Sequence, residues 1–142
     1  MVVIDQFSFL EHDKTENRKD LRMETTSKYI QHMCKVLKIP VLLLHQLNRS
    51  IEKGNRTPQL SDLRECGSLE EDADVVMFLH TLPKQDRTSK ERLLTIAKSK
   101  LGAVQTYGLT LDTNRMIFKA DEDEETELRM EIKNMESGGP DD

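Results

Sequence analysis

Tryptophan is absent from this 142-residue chain, and phenylalanine and tyrosine supply only four and two residues, so its core has to be built mainly from aliphatic side chains. Cysteine is scarce as well. Cys34 and Cys66 lie 32 positions apart and neither sits in a CxxC pair, which argues against a disulfide framework or a cysteine-based zinc site. Reduced thiols and a cytoplasmic setting are the simpler expectation. No apolar run is long enough to span a bilayer, the longest being 39–44, interrupted by Pro40. The amino terminus has no basic stretch leading into an apolar one, so neither export nor a membrane partner is expected. Also missing is any GxxxxGK[ST] loop, the glycine-rich cradle that holds nucleotide phosphates.

What remains is a polar, charged chain of one domain's length, 36% hydrophobic and 33% charged, with a net charge of −5. The charge is unevenly spread. Residues 120–142 hold ten acids against Arg129 and Lys133, a net −8, which leaves +3 for residues 1–119. A mildly basic body is compatible with phosphate contact at a few residues without requiring it. The acidic tail, with Gly138, Gly139 and Pro140 near its end, is expected to be a solvated, disordered segment.

Hydrophobic patterning predicts an α/β fold. The opening VVID is a short β-branched run ending in an acid, the pattern of a buried parallel strand with Asp5 at its carboxyl end. In open α/β sheets that end of a strand faces the ligand crevice. Met23, Ser27, Ile30, Cys34 and Leu37 recur at helical spacing, with Tyr29 and Met33 broadening the stripe, and Pro40 ends the helix. A second strand follows at 41–44 and carries His45, Gln46, Asn48 and Arg49 just beyond its end. A short helix near 68–73 and a third buried strand at 75–79 come next. Segments 93–97, 105–111 and 116–118 then read as antiparallel strands joined by turns at 99–102 and 112–114. The expected architecture is thus a partial sheet of parallel strands with flanking helices, plus carboxyl-terminal antiparallel β-hairpins.

An acid ending an apolar strand is by itself more often a turn or capping residue than a metal ligand. Asp5 gains weight from a second strand, about forty residues later, that ends in HQLNR. A Gln there has the reach to hydrogen-bond a terminal phosphate or an attacking water. VVIDQFSFL, HQLNRSIE and SDLRECGSLEEDADVVMFLH, in this order and at this separation, resemble motifs of replicative DNA helicases of the DnaB type, a branch of the RecA-like ATPases. The resemblance covers roughly residues 2–119, and the LNRS and SDLRExGSxExDAD blocks separate this family from other RecA-like folds. It makes residues 1–119 the carboxyl-terminal portion of a RecA-like helicase motor.

By position, the resemblance implies that Asp5 belongs to the Walker B strand and orders Mg²⁺ through water beside ATP. It makes Gln46 the sensor of the γ-phosphate, and Arg64, Glu65 and Gly67 the channel loop that grips single-stranded DNA. An arginine and a glycine-containing turn suit that role, since one supplies charge and the other lets main-chain N–H groups approach a phosphate. The bland alternative for Arg64 is a surface ion pair with Glu65 or Asp62. Lys98 and Lys100, two apart on a strand, correspond to a pair that reaches across a subunit interface to the neighbour's nucleotide. Here Lys100 stands where the family has an arginine, and a lysine offers a point charge in place of a planar fork. His45 stands where a small hydroxyl residue is common, and it is given no role.

The function implied is part of an ATP-dependent replicative helicase that moves 5′ to 3′ on single-stranded DNA, acting in a homohexamer or with a complementary helicase subunit. Primase or a helicase loader would be further partners. The alternative is a non-catalytic or split-subunit module that assembles with or regulates a helicase ring. The family's phosphate-binding loop and catalytic glutamate both precede Walker B and have no counterpart here, so the chain alone is expected to show no ATPase activity.

Overall fold

The computed structural model describes residues 1–10, 18–47, 56–66, 68–81 and 89–120, with backbone only at 19–20 and 64–66. The chain divides into two compact units, one of Met1–Val76 and one from Met77 onward.

In the first unit, β1 (Val2–Ile4) pairs in parallel with β2 (Val41–Leu43), in the register Val2 to Val41 and Ile4 to Leu43. A single 3-10 turn, Phe7–Phe9, follows β1. The connection to β2 includes α1 (Lys19–Leu37), the helix the apolar spacing predicts. It stops two residues before Pro40, at Lys38, whose φ of 53° and ψ of 39° turn the chain left-handed. That conformation is a common helix terminator, and here a lysine adopts it in place of the usual glycine. A 3-10 stretch, Leu60–Cys66, and the one-turn α2 (Leu69–Asp72) complete the unit.

The core forms where these elements meet. Phe7 is fully buried, Met23 from α1 and Leu69 from α2 are nearly so, and Leu10, Ile30 and Leu43 pack around them. Burying a side chain of this size contributes about 1.5–3 kcal/mol. Of the stripe the sequence offers, only Met23 and Ser27 are buried; Tyr29 and Leu37 are exposed. The first strand also departs from expectation, since Val2 and Val3 are 38% and 53% exposed rather than buried. Among the described residues β2 is its only neighbouring strand.

β3 (Val75–His80) opens a four-stranded sheet of order β3-β4-β5-β6, completed by β4 (Glu91–Ser99), β5 (Thr106–Asp112) and β6 (Ile117–Ala120). β4 with β5 and β5 with β6 are antiparallel, as the patterning predicts. β3 is not a fully buried strand. Val76 and Phe78 are buried while Val75, Met77 and Leu79 are exposed, the alternation of a strand with one covered face. Leu93 on β4 is almost completely buried. Between β5 and β6 the Asp112 carboxylate accepts the Asn114 and Arg115 amides at 3.1 and 3.3 Å and lies 3.4 Å from the Lys119 ammonium. Met116, read as the start of the last strand, instead has φ 53° inside this turn.

Candidate functional site

Asp5 and Gln46 leave the carboxyl ends of adjacent parallel strands. The Leu44 amide donates to the Ile4 carbonyl at 2.9 Å and the Phe7 amide to the Leu44 carbonyl at 2.8 Å, so the two chains stay bonded to each other past the last strand residues. Both Asp5 and Gln46 are exposed, at the sheet end where α/β folds receive ligands. Behind them Phe7 anchors the turn in the core, and the His45 ring meets it edge-on at 6.0 Å with a 74° interplanar angle. The His45 ring therefore packs on the edge of Phe7. Among the described residues no group of three or more His, Cys, Asp or Glu side chains gathers into a metal-binding cluster.

Arg64 and Glu65 belong to the 3-10 stretch Leu60–Cys66, which packs against α1; Gly67 lies outside the described residues. This stretch is held at its front by Asp62. The Arg56 guanidinium donates to both carboxylate oxygens, at 2.9 and 2.6 Å, and the Gln59 amide donates at 2.7 Å. Arg56 holds the Asp62 carboxyl below its ordinary pKa, with the Gln59 amide helping against the cost of burial. Asp62, one of two ion-pair partners considered for Arg64, is therefore engaged by Arg56.

Asp72, the last residue of α2, bonds Ser68 and α1. One oxygen of its carboxylate accepts hydrogen bonds from the hydroxyls of Ser27 and Ser68, each at 2.6 Å, and its carbonyl accepts the Gln31 side-chain amide at 3.1 Å. Ser27 and Ser68 are 4% and 8% exposed, so both hydroxyls need a protein partner. Sequence patterning does not single out Asp72. The one available signal is Ser27, a hydroxyl in an otherwise apolar helical stripe.

In the second unit Lys98 is half-buried on β4 and Lys100 is exposed just beyond it. β4 ends at Ser99, so strand alternation governs Lys98 and does not extend to Lys100. The Ser99 hydroxyl accepts the Leu101 and Gly102 amides at 3.2 and 3.0 Å, which shapes the turn that bears Lys100. Further back, His80 Nε2 lies 3.1 Å from the Thr95 hydroxyl, which lies 3.0 Å from that of Thr106, and His80 Nδ1 is 3.0 Å from the Thr81 carbonyl. The Thr81 carbonyl can only accept, so Nδ1 carries the proton and the neutral ring accepts at Nε2. Burial pushes the His80 pKa down, against the opposing pull of the Thr81 carbonyl.

Residues 1–120 match the DnaB-like helicase C terminal domain. The chain belongs to that family. The ATPase domain of G40P has the same fold, with a TM-score of 0.75 and 32% identity over 85% of this chain and 44% of that one. A DnaB-like replicative helicase, solved in a study of its interactions with primase, gives 0.71 and 33% over 79% of this chain and 28% of that one. The partial α/β sheet is therefore RecA-like, as expected. The replicative DNA helicase DnaB of Mycobacterium leprae is 36% identical over 110 residues, 75% of this chain and 18% of its own length. A probable plasmid replicative DNA helicase of Chlamydia muridarum is 31% identical over 121 residues, 84% of this chain and 26% of its own. The chain thus spans about a fifth to a quarter of these two relatives. No helix among the described residues is long and apolar enough to cross a membrane.

Proposed function

We propose that this chain is the part of a DnaB-like replicative helicase motor that senses the nucleotide and passes its state to the DNA-gripping segment. The observation that carries the reading is the joint departure of Asp5 and Gln46 from adjacent strand ends. Directly behind them a core cluster joins Phe7 and Met23 to Leu69, the first residue of α2.

ATP with Mg²⁺ would supply the energy of the cycle. A lone exposed carboxylate suits Mg²⁺, which keeps several waters and takes few protein ligands, so Asp5 would hold it through water. Gln46 would hydrogen-bond the γ-phosphate and register its loss. The turn after β1 and the strand end before Gln46 share the Phe7 to Leu44 bond, so a shift at Gln46 acts on the buried Phe7 ring and on the Leu69 side chain packed with it. Leu69 follows Ser68, the residue next to Gly67, so Arg64, Glu65 and Gly67 would reposition on the backbone of single-stranded DNA. Lys98 and Lys100 would reach the neighbouring subunit's nucleotide in a hexamer or in a ring completed by a complementary subunit. Primase or a loader would bind that ring, by analogy with the DnaB-like replicative helicase whose structure was solved to describe its interactions with primase. The setting would be the cytoplasm.

A second reading, a non-catalytic module that assembles with or regulates a helicase ring, is favoured by Lys100 in place of an arginine. Both readings predict no ATPase from the chain alone. They separate when the chain is joined to the upstream half of the G40P ATPase domain, which would supply the remaining motor elements. A working motor segment restores ATP turnover stimulated by single-stranded DNA. A chimera that folds and binds nucleotide yet turns none over supports the regulatory module and overturns the motor reading.

A further inference from the structure

Residues 96–105 form the arm that carries Lys98 and Lys100. β4 runs to Ser99 and β5 begins at Thr106, and residues 100–104 between them are all exposed, Leu101 at 88%, so little packing along its length fixes the direction of the arm. Its direction is therefore set at its root. There Thr95 and Thr106 face each other as the last register pair between β4 and β5, and the next bond runs from the Ile96 amide to the Gln105 carbonyl at 2.8 Å. The same Thr95 hydroxyl lies 3.1 Å from His80 Nε2 on β3. Because the His80 proton sits on Nδ1, against the Thr81 carbonyl, Nε2 can only accept, and Thr95 has to donate to it. A hydroxyl has one proton to give, so across their 3.0 Å contact Thr106 has to donate to Thr95. The bonds thus run in one direction, from Thr106 through Thr95 and His80 to the Thr81 carbonyl, and they link three strands at the base of the arm. All three side chains are half-buried, where such bonds strengthen one another.

We propose that Thr95 and His80 are positioning residues for the arm: their relay fixes its root on β3 and so holds Lys98, three residues along β4 from Thr95, and Lys100 in one orientation towards a neighbouring subunit's nucleotide. Neither Thr95 nor His80 touches the nucleotide. This rests on the assignment of Lys98 and Lys100 to that contact made above.

The test reads amide hydrogen exchange in the 142-residue chain and ATP turnover in the G40P chimera. Thr95→Val keeps the shape of the side chain and removes the donor. It is expected to speed exchange of the Ile96, Leu101 and Gly102 amides about fivefold, the worth of one typical hydrogen bond, while the Leu111 amide, bonded to the Lys90 carbonyl at the far end of the β4–β5 ladder, keeps its rate. Thr95→Ser retains the hydroxyl and restores the slow rates. His80→Leu removes the acceptor instead, gives the Thr95→Val pattern, and serves if that variant fails to fold. In the chimera Thr95→Val is expected to lower kcat several-fold with KM unchanged, and to cost nothing further once Lys98 and Lys100 are both replaced by alanine. Imidazole 15N shifts should show His80 protonated at Nδ1. A proton at Nε2, equal acceleration at Leu111 and in the arm, or unchanged exchange in both Thr95→Val and His80→Leu overturns the proposal whatever the lysines do. If the double alanine variant turns over ATP like the unmodified chimera, the lysine assignment falls and the proposal with it.

Discussion

Replacing Phe7 with alanine tests whether the first unit is organised around one side chain. Phe7 has no exposed surface and sits among Met23, Leu69, Leu10, Ile30 and Leu43, with the His45 ring against its edge. Neighbours drawn from α1, α2 and β2 cannot all close on the space left behind. The lost transfer free energy and the residual cavity together cost about 3–5 kcal/mol. At about 0.05–0.15 kcal/mol per residue, the 76 residues of the unit have roughly 4–11 kcal/mol in all, so the loss is a large share of its stability. With no tryptophan to report, far-UV circular dichroism in a urea titration at low protein concentration is the appropriate assay. Val3→Ala is the control, because Val3 is about half exposed and its truncation should cost within about 0.5 kcal/mol. Equal losses for the two variants, or a Phe7→Ala cost under about 1 kcal/mol, would refute a core centred on Phe7.

His80 predicts a specific acid sensitivity. Its folded pKa lies below the unfolded value near 6.5, so the unfolded chain binds more protons and stability is full above that value and lost as pH falls below it towards the folded pKa. The thermal midpoint of the chain should drop as the pH falls through and below about 6.5, and less steeply in His80→Gln; identical slopes would remove His80 as the cause. Lys100→Arg in the G40P chimera should raise DNA-stimulated ATP turnover, because a planar guanidinium engages phosphate oxygens with two bonds where an ammonium offers a point charge. An unchanged turnover would mean that the residue at this position does not reach the nucleotide.

The helix and the carboxyl-terminal hairpins are legible in the sequence because their patterns are local. Apolar spacing predicts α1, and alternating residues with turn chemistry predict β4, β5 and β6. The strand end at Asp5 and its partner at Gln46 are legible because a parallel sheet delivers its polar residues to one edge. Cover is not. A run such as Val2, Val3 and Ile4 records an apolar segment but not which faces meet a neighbour, and the exposure of Val2 and Val3 depends on what packs against them. The Asp72 network is hidden for a different reason: Ser27 and Asp72 are 45 positions apart, and only the packing of α1 on α2 brings a hydroxyl in an apolar stripe to a carboxylate in an acidic run. Lys100 shows the limit of periodicity, since the strand ends one residue before it.

We propose that the strand ends bearing Asp5 and Gln46 control the segment that would grip DNA, and Gln46→Ala in the G40P chimera probes that coupling. ATP turnover would be measured with and without single-stranded DNA, alongside DNA affinity in the presence of a non-hydrolysable ATP analogue and of ADP. If the claim holds, the variant still binds DNA but loses both its stimulation by DNA and the difference in affinity between the two nucleotide states. Full stimulation and an intact affinity difference in Gln46→Ala would contradict it.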